Sequence, residues 1–204
     1  NESGRPLSLY FHIPFCDTVC FYCACNKIAT KDRTLAVGYL ERLHREIAMQ
    51  GELFDRSRRV DQLHWGGGTP TFISHEQMRE LMRVTAEHFS LADDDSGEYS
   101  IEIDPREATA ETIGMLRQIG FNRLSMGVQD LTPEVQEAIT RGQTHEQTAQ
   151  LMEYARKVGF TEGINLDLIY GLPKQKMETF ETNLDQILAL RPDRVAVYSF
   201  AFVP

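Results

Sequence analysis

Short runs of alternating apolar and polar residues recur along the chain, separated by segments with helical spacing. Alternation with period two is typical of half-buried strands, whereas apolar residues at every third and fourth position indicate helices. This pattern predicts six strands, at residues 7–13, 60–65, 98–104, 122–128, 163–169 and 194–202. It predicts helices at residues 35–54, from an N-cap at Ser74 to residue 89, around residues 113–119, and at 133–140, 146–158 and 177–190.

Six strands that alternate with helices predict an α/β domain with parallel pairing, which is a partial (β/α)6 TIM-like barrel. Each strand has an apolar face, which helices can cover, and a polar face. The polar positions are Tyr10 and His12, then Ser100, Glu102 and Asp104, then Ser125 and Gln129, then Asn165 and Asp167. Closed barrels fill their interior with branched apolar residues. The pattern therefore indicates an open barrel whose polar interior, or lumen, holds a polar ligand.

The four cysteines of the chain lie in one short segment, at Cys16, Cys20, Cys23 and Cys25. The first three have the spacing C-x3-C-x2-C, which lets one compact loop direct three thiolates at one object. Three protein ligands leave one iron of an iron–sulfur cube open to a small molecule, whereas a closed four-thiolate site transfers electrons or holds structure. We therefore predict Cys16, Cys20 and Cys23 as metal ligands.

Two other interpretations of the cysteines are weaker. A structural zinc site usually pairs two Cys-x2–4-Cys units a dozen or more residues apart, and the sequence has no second unit. A disulfide fits poorly because the first residues, NESGRPLSLYFHIP, contain no apolar signal segment. On the same ground we expect a cytoplasmic protein.

Charge and hydropathy exclude some partners. The net charge is −9 and the pI is about 5.2, whereas nucleic acids and anionic membranes select basic surfaces. No run approaches the roughly 20 apolar residues of a membrane span. We therefore expect neither nucleic acid nor membrane as a partner, and a monomer.

A glycine run, GGGT at residues 66–69, follows the second strand at the end of the predicted sheet that carries the cysteine loop. Glycines expose backbone N–H and C=O groups to a ligand at close range. Such a run serves equally well as a tight turn before a helix, so only its position beside the thiols favours a binding role.

The sequence resembles the radical S-adenosylmethionine superfamily, and most closely its oxygen-independent coproporphyrinogen III oxidases. The matching blocks are SLYFHIPFCDTVCFYCACNK, QLHWGGGTPTF, SIEIDPRE, FNRLSMGVQD and NLDLIYGLPKQ, and the resemblance extends from about residue 7 to residue 204. A related branch of haem chaperones tends to have an aromatic residue where this chain has Cys25. The cysteine therefore favours the oxidases, and a haem chaperone is the alternative.

The resemblance implies a [4Fe–4S] cluster on Cys16, Cys20 and Cys23, with Cys25 nearby but not a ligand. It also implies two molecules of S-adenosylmethionine. Residues Tyr10, Gly67 and Glu102 match contacts of the first molecule. Contacts of the second are matched by Tyr22, Gly68, Thr69, Gln129, Arg141, Asp167 and Ala201. Arg141 suits a bidentate pair with a carboxylate, and Glu102 and Asp167 are acceptors for an amino group or for hydroxyls.

The resemblance further implies oxidative decarboxylation. A 5′-deoxyadenosyl radical removes a β-hydrogen from a propionate, carbon dioxide leaves, and an external acceptor takes the last electron. Two propionates of coproporphyrinogen III become vinyl groups, which gives protoporphyrinogen IX. The implied partners are this tetrapyrrole, an electron donor and an electron acceptor. Family members continue with further strands and a helical C-terminal domain, so we expect residues 1–204 to be a radical S-adenosylmethionine core truncated before the domain that closes over substrate.

Overall fold

The computed structural model describes residues 4–161 and 163–201. The strands are β1 (Leu7–Ile13), β2 (Phe15–Cys16), β3 (Ile28–Ala29), β4 (Arg59–Gly67), β5 (Ser90–Leu91), β6 (Glu98–Ile103), β7 (Arg123–Gln129), β8 (Ile164–Tyr170) and β9 (Arg194–Ser199). The helices are α1 (Leu35–Gly51), α2 (His75–His88), α3 (Ala110–Gln118), α4 (Pro133–Ala138), α5 (His145–Lys157) and α6 (Met177–Ala189). A short 3-10 helix spans Pro70–Phe72.

The six long strands form one parallel sheet in the order β1-β4-β6-β7-β8-β9. Each crossover therefore moves the chain to the next strand in the same direction, as in a (β/α) barrel. The predicted α/β class and the partial barrel are confirmed. All strands end at the same edge, so the loops after β1, β4, β6, β7 and β8 lie near one another.

The core lies between the outer face of the sheet and the helices. Ile101, Met126 and Leu166 alternate with polar neighbours on their strands and are fully buried. Trp65 at the end of β4 is also fully buried, with its ring 4.9 Å from that of Phe121. The apolar alternation in the sequence therefore marks the helix-covered face, as predicted.

The end strand β9 departs from this pattern. Val195 and Val197 align with Leu166 and Leu168 of β8 and occupy the same outer face. They are 40% and 48% exposed, whereas the two leucines are fully buried. In the described residues, β9 has a strand neighbour on one side only.

Among the described residues, no helix is both long and apolar enough to cross a membrane.

The helix prediction at Ser74 is confirmed in detail. The Ser74 hydroxyl accepts a hydrogen bond from the backbone N–H of Gln77, whose side chain accepts one from the Ser74 backbone, and this capping box fixes the start of α2. The far end was wrong by one residue, because Phe89 follows the helix. Ala86 has the helical spacing of the buried residues Met78 and Met82 but is exposed.

Several other boundaries differ from the predictions. Helix α1 ends at Gly51 instead of residue 54, because Leu53 and Phe54 donate to carbonyls three residues back, in a tighter turn. The strand predicted at residues 60–65 extends to Gly67. The last strand ends at Ser199 instead of residue 202, which lies outside the described residues. The two-residue strands β2, β3 and β5 were not predicted, because so short a segment carries no period.

Candidate functional site

A cavity of about 520 Å³ opens where the parallel strands end. Most of the predicted site residues line it, namely Cys16, Cys20, Tyr22, Cys23, Gly67, Gly68, Thr69, Glu102, Gln129, Arg141, Asp167 and Ala201. Tyr10 is the exception, because it lies deeper along β1 and is not part of the lining. The structure thus brings together residues from the cysteine loop, from the strands β4, β6, β7 and β8, and from the segments after α4 and β9. This placement matches the end of the barrel at which such folds carry their chemistry.

Backbone hydrogen bonds hold the cysteine loop against the sheet. Thr30 N–H donates to the carbonyl of Cys16 at 2.9 Å, and Phe21 N–H donates to the carbonyl of Ile139 at 3.3 Å. The ring of His12 donates from Nε2 to the carbonyl of Asn26 at 2.8 Å. The loop is therefore tied to β1, to β3 and to the segment after α4, which fixes where its thiols point.

The first and third cysteines have different surroundings. Burial raises the pKa of the Cys16 thiol, although the Thr69 hydroxyl donates to its sulfur at 3.6 Å. The pKa of Cys23 is lowered to about 5, chiefly because the Cys25 thiol donates a hydrogen bond to its sulfur and also because the Lys27 ammonium is close. Since the thiolate is the form that binds metals, Cys23 is prepared for ligation at neutral pH.

The second cysteine faces two guanidinium groups. Arg106 Nη2 lies 3.7 Å and Arg141 Nη1 lies 3.8 Å from the sulfur of Cys20. Asp104 pairs with both arginines, at 2.6 Å to Arg106 and 3.3 Å to Arg141. Burial alone raises the pKa of Asp104, but the hydrogen bonds and charges of the two arginines outweigh burial and hold the pKa below its usual range.

Arg141 is already engaged by protein acceptors. Besides Asp104, it donates to the Tyr22 hydroxyl at 2.9 Å, to the side-chain oxygen of Gln143 at 3.2 Å and to the carbonyl of Gly127. Its side chain is only 5% exposed. A bidentate contact to a ligand carboxylate, as predicted from the residue type, therefore requires one of these contacts to be exchanged.

The glycine run packs tightly against β1 and the cysteine loop. A Cβ on Gly68 would lie 2.6 Å from the carbonyl oxygen of Phe15, and one on Gly67 would lie 2.6 Å from the ring of His12. Gly67 also has a φ of +115°, which disfavours other residues. The run therefore has a packing role of its own. The Gly67 N–H donates to the cavity residue Glu102 at 3.2 Å, whereas the N–H groups of Gly68 and Thr69 donate to the backbone carbonyls of Ile13 and Phe15.

Glu102 ends a hydrogen-bonded array on the inner face. His64 Nε2 donates to Glu102 at 3.2 Å, and its Nδ1 faces the hydroxyl of Ser100 at 2.5 Å. The ring of Tyr10 stacks on His64 with centroids 5.7 Å apart, and its hydroxyl faces His12 Nδ1 at 3.0 Å. The array orients the Glu102 carboxylate while leaving 41% of its side chain exposed to a ligand.

Two further acceptors lie on β7 and β8. Asp167 accepts from Ser125 at 3.2 Å and from Asn165 at 2.8 Å, yet burial outweighs these bonds and raises the pKa of Asp167. Gln129 is buried and has a φ of +70° beside an irregularity in the β7–β8 register. Such backbone geometry is uncommon outside glycine, and it turns the Gln129 side chain towards Gly127 and the cavity.

Sequence reasoning did not single out Arg106, His64 or Lys27 as site residues. Arg106 follows Asp104 in the block IDPRE, immediately after a predicted strand, so its position was a usable signal. His64 alternates with the apolar residues Leu63 and Trp65 on β4 and therefore belongs to the polar face. Lys27 carried no pattern that could have indicated its bond to the carbonyl of Cys23 at 2.8 Å.

The donors around the three thiols are compatible with a bound cluster. Among residues 4–161 and 163–201, no three His, Cys, Asp or Glu side chains converge on a point that could hold a single metal ion. In a cluster each cysteine binds a different iron, so convergence on one point is not required. The donor set, three thiols with N–H and O–H donors at two of the sulfurs, fits a cluster bound through Cys16, Cys20 and Cys23.

Comparison with known proteins agrees with the geometry. The oxygen-independent coproporphyrinogen III oxidase of Pseudomonas aeruginosa is 54% identical over 204 residues, which are 100% of this chain and 44% of that protein. The enzyme with this name from Escherichia coli is 48% identical over 200 residues, 98% of this chain and 43% of that protein. The chain thus spans less than half the length of the curated relatives it matches.

Solved structures give the same result. Coproporphyrinogen III oxidase (HemN) from Escherichia coli, described as a radical SAM enzyme, superposes with a TM-score of 0.92 at 48% identity over 98% of this chain and 45% of that one. The radical S-adenosylmethionine methyltransferase TsrM from Kitasatospora setae shares the fold at 16% identity, with a TM-score of 0.63 over 95% of this chain and 36% of that one. Residues 10–187 match the Radical SAM superfamily, and the chain therefore belongs to this superfamily.

Proposed function

We propose that this chain is the radical S-adenosylmethionine core of an oxygen-independent coproporphyrinogen III oxidase. The observation that carries the proposal is one polar cavity lined both by the C-x3-C-x2-C cysteines and by the acceptors on the inner face of the sheet. The relatives with this name match the full length of the chain. In this proposal residues 1–204 form the core domain, and a further part of the protein closes over the substrate.

The cofactors supply the difficult chemistry. A bound cluster and S-adenosylmethionine would supply the one-electron chemistry that removes a β-hydrogen from a propionate of coproporphyrinogen III. The protein's part is to bind and orient. Cys16, Cys20 and Cys23 hold the cluster, and the Thr69 hydroxyl and the two arginines donate to its thiolate ligands.

The inner face provides the contacts for S-adenosylmethionine. Glu102 accepts a hydrogen bond from an amino group or a hydroxyl of this ligand. His64 and the Gly67 N–H donate to Glu102 and hold its carboxylate, and the ring of Tyr10 stacks on the ring of His64. For a second molecule, Asp167 is the matching acceptor on the other side of the lumen. The remaining proposed contacts of the second molecule are Tyr22, Gly68, Thr69, Gln129, Arg141 and Ala201, all of which line the same cavity.

The atoms and electrons of the proposed reaction balance. A hydrogen atom leaves the β-carbon, the carboxylate leaves as carbon dioxide, and one electron passes to an external acceptor, so that a vinyl group forms. Two such rounds give protoporphyrinogen IX. The proposed partners are therefore the tetrapyrrole, an electron donor and an electron acceptor, and the polar cavity must exclude water and oxygen during the reaction.

The decisive experiment begins with anaerobic reconstitution with iron and sulfide. Electron paramagnetic resonance of the reduced protein is then recorded with and without S-adenosylmethionine. We expect a cluster signal that changes when the ligand is added, because the open iron accepts it. A signal that does not respond would contradict an open iron and favour a closed four-thiolate site.

A second assay tests the substrate. A chain extended to the length of the curated relatives is incubated anaerobically with reductant, S-adenosylmethionine and coproporphyrinogen III, with the 204-residue chain beside it. We expect 5′-deoxyadenosine and vinyl products from the extended chain and no vinyl product from the 204-residue chain. An extended chain that binds haem but forms no vinyl product would assign the protein to the haem-chaperone branch instead.

A further inference from the structure

Arg106 connects the end of β6 to the cysteine loop. Its Nε lies 3.0 and 3.1 Å from the two carboxylate oxygens of Asp104, and its Nη2 lies 2.6 Å from one of them. Its Nη1 donates to the carbonyl of Thr140 at 3.3 Å. The Arg106 side chain is 18% exposed and that of Asp104 is 9% exposed. A bidentate pair with this little solvent around it holds the guanidinium plane in one orientation.

That orientation directs the guanidinium at a cysteine. The same Nη2 lies 3.7 Å from the sulfur of Cys20. Arg141, which also pairs with Asp104, reaches this sulfur at 3.8 Å. One buried carboxylate therefore holds two positive groups against one thiol.

The other two cysteines have no arginine donor among the described contacts. Cys16 receives the neutral hydroxyl of Thr69 at 3.6 Å. The ammonium of Lys27 donates to the backbone carbonyl of Cys23 at 2.8 Å and lies close enough to lower the pKa of the Cys23 thiol. Both arginine donors near the predicted ligands are thus at Cys20.

We propose that Arg106 is a positioning residue that, together with Asp104, directs an N–H and a positive charge at the Cys20 thiolate and raises the reduction potential of the cluster. Hydrogen bonds to the ligand sulfurs and nearby charge are among the factors that set the potentials of iron–sulfur clusters. Reduction adds one negative charge, so a fixed cation stabilises the reduced state more than the oxidised state. The inference rests on the proposed function, because it requires the cluster to be bound by Cys16, Cys20 and Cys23.

A direct role of Arg106 in holding a substrate carboxylate fits the geometry less well. Its Nε and Nη2 donors are directed at Asp104 and Cys20, and Nη1 contacts Thr140. A carboxylate would have to displace Asp104, which is itself buried and paired with Arg141. Arg106 therefore acts through Cys20 and is not placed as a catalytic residue.

The test is a potentiometric titration of the full chain after anaerobic reconstitution, monitored by electron paramagnetic resonance. The variants are R106Q, which removes the charge, and R106K, which keeps the charge but loses the planar fork. The matched control is R33Q. Arg33 also contacts the cysteine loop, through Asp17, and its other described contacts are with the carbonyl and ring of Phe72 and with no sulfur.

We expect R106Q to bind the cluster and to lower its potential by about 59 mV, which is about a tenfold change in the equilibrium constant for a one-electron couple. R106K should lower it less, and R33Q should leave it close to the parent value. If R106Q assembles no cluster, the potential of R106K is the deciding measurement. An ammonium cannot bind both oxygens of Asp104 and also donate to Cys20 as the planar guanidinium does, so the potential of R106K should still lie below that of the parent.

Three outcomes would overturn the inference: a parent potential in fully loaded R106Q, a parent potential in R106K where R106Q fails to load, or an equal shift in R33Q. Failure of the proposed function would look different: the parent protein would yield no cluster signal to titrate, a cluster signal that does not respond to S-adenosylmethionine, or no vinyl product from the extended chain.

Discussion

The two faces of the same sheet differ in almost every physical property. On the outer face, Ile101, Leu124 and Leu166 are at most 1% exposed and pack beneath helices. On the inner face, the neighbours Glu102 and Asp167 are polar, partly exposed and held by hydrogen bonds instead of packing. Because successive residues of a strand point to opposite faces, one residue separates a position that stabilises the fold from a position available to a ligand.

This contrast explains why the lumen can be polar at all. The outer face buries enough apolar surface for the fold, so the inner face need not contribute a core. Burial nevertheless disfavours the charged form of Asp167 and raises the pKa of this carboxyl. A polar ligand that donates to Asp167 would therefore satisfy an acceptor that the protein satisfies only in part.

The largest effects should come from the cysteine loop, which extends the inner face. We expect Cys16→Ala, Cys20→Ala and Cys23→Ala each to abolish a stable cluster, because each removes one of three ligands. Cys25→Ala should keep it. The measurement is iron and sulfide per chain after anaerobic reconstitution, with circular dichroism to confirm that the fold is unchanged. An equal loss of iron in all four variants would favour a four-thiolate site.

The outer face should respond through stability. Ile101→Ala removes a fully buried side chain and leaves a cavity, so the free energy of unfolding should fall by about 2–5 kcal/mol. The control is Ser100→Ala, one residue away on the inner face, which should cost far less. Urea unfolding of the apoprotein measures both. Equal losses would show that the inner face contributes as much to the fold as the outer face does.

How much of this was predictable depends on the face. The outer face follows from apolar alternation, so all six long strands and their parallel pairing were predicted. β1 was predicted without error, and the ends of the other strands with errors of at most three residues. Strand ends such as Gly67 and Gln129 depend on pairing with a neighbour and on a register irregularity, neither of which is written in the local pattern.

The sequence predicted many of the residues at the site, but not the contacts between them. The cysteine spacing and the resemblance indicated many of the residues that line the cavity, but not Arg106 or Lys27. The pairing of Asp104 with Arg141 and the approach of Arg106 to Cys20 join positions far apart in sequence, and no local signal specifies such contacts. For the same reason the sequence indicated Arg141 only as a partner for a ligand carboxylate, whereas the structure shows it occupied by protein acceptors.

An intermediate effect is expected for ligand binding on the inner face. Glu102→Gln keeps the volume but loses the charge, so S-adenosylmethionine should bind the reconstituted protein more weakly by about 1–3 kcal/mol, the scale of a hydrogen bond to a charged group. Glu98→Gln is the matched control, because Glu98 lies at the other end of the same strand, outside the large cavity. Isothermal titration that gives the same affinity for the parent and Glu102→Gln would reduce Glu102 to a structural role.

The smallest effect concerns the cost of keeping Asp167 charged. Burial raises the pKa of this carboxyl in the folded protein above its ordinary value of 3.8. The folded state therefore binds the proton more tightly than the unfolded state, and stability is lost as pH rises through the folded-state pKa. Asp167→Asn removes this loss, so the unfolding midpoint of the apoprotein should be higher than that of the parent at neutral pH. The difference should shrink towards the pH of the ordinary carboxyl pKa.

The control for this last prediction is Asp94→Asn, on the exposed turn before β6. Hydrogen bonds from Ser96 lower the pKa of Asp94, so its contribution to stability has the opposite sign and is present above the ordinary pKa. Thermal unfolding of both variants across pH 3–7 should therefore give differences of opposite direction that grow with pH. A midpoint of Asp167→Asn that stays at or below the parent at neutral pH would mean that Ser125 and Asn165 fully compensate the charge. The Asp167 carboxylate would then be fully satisfied by the protein and would not need a ligand donor.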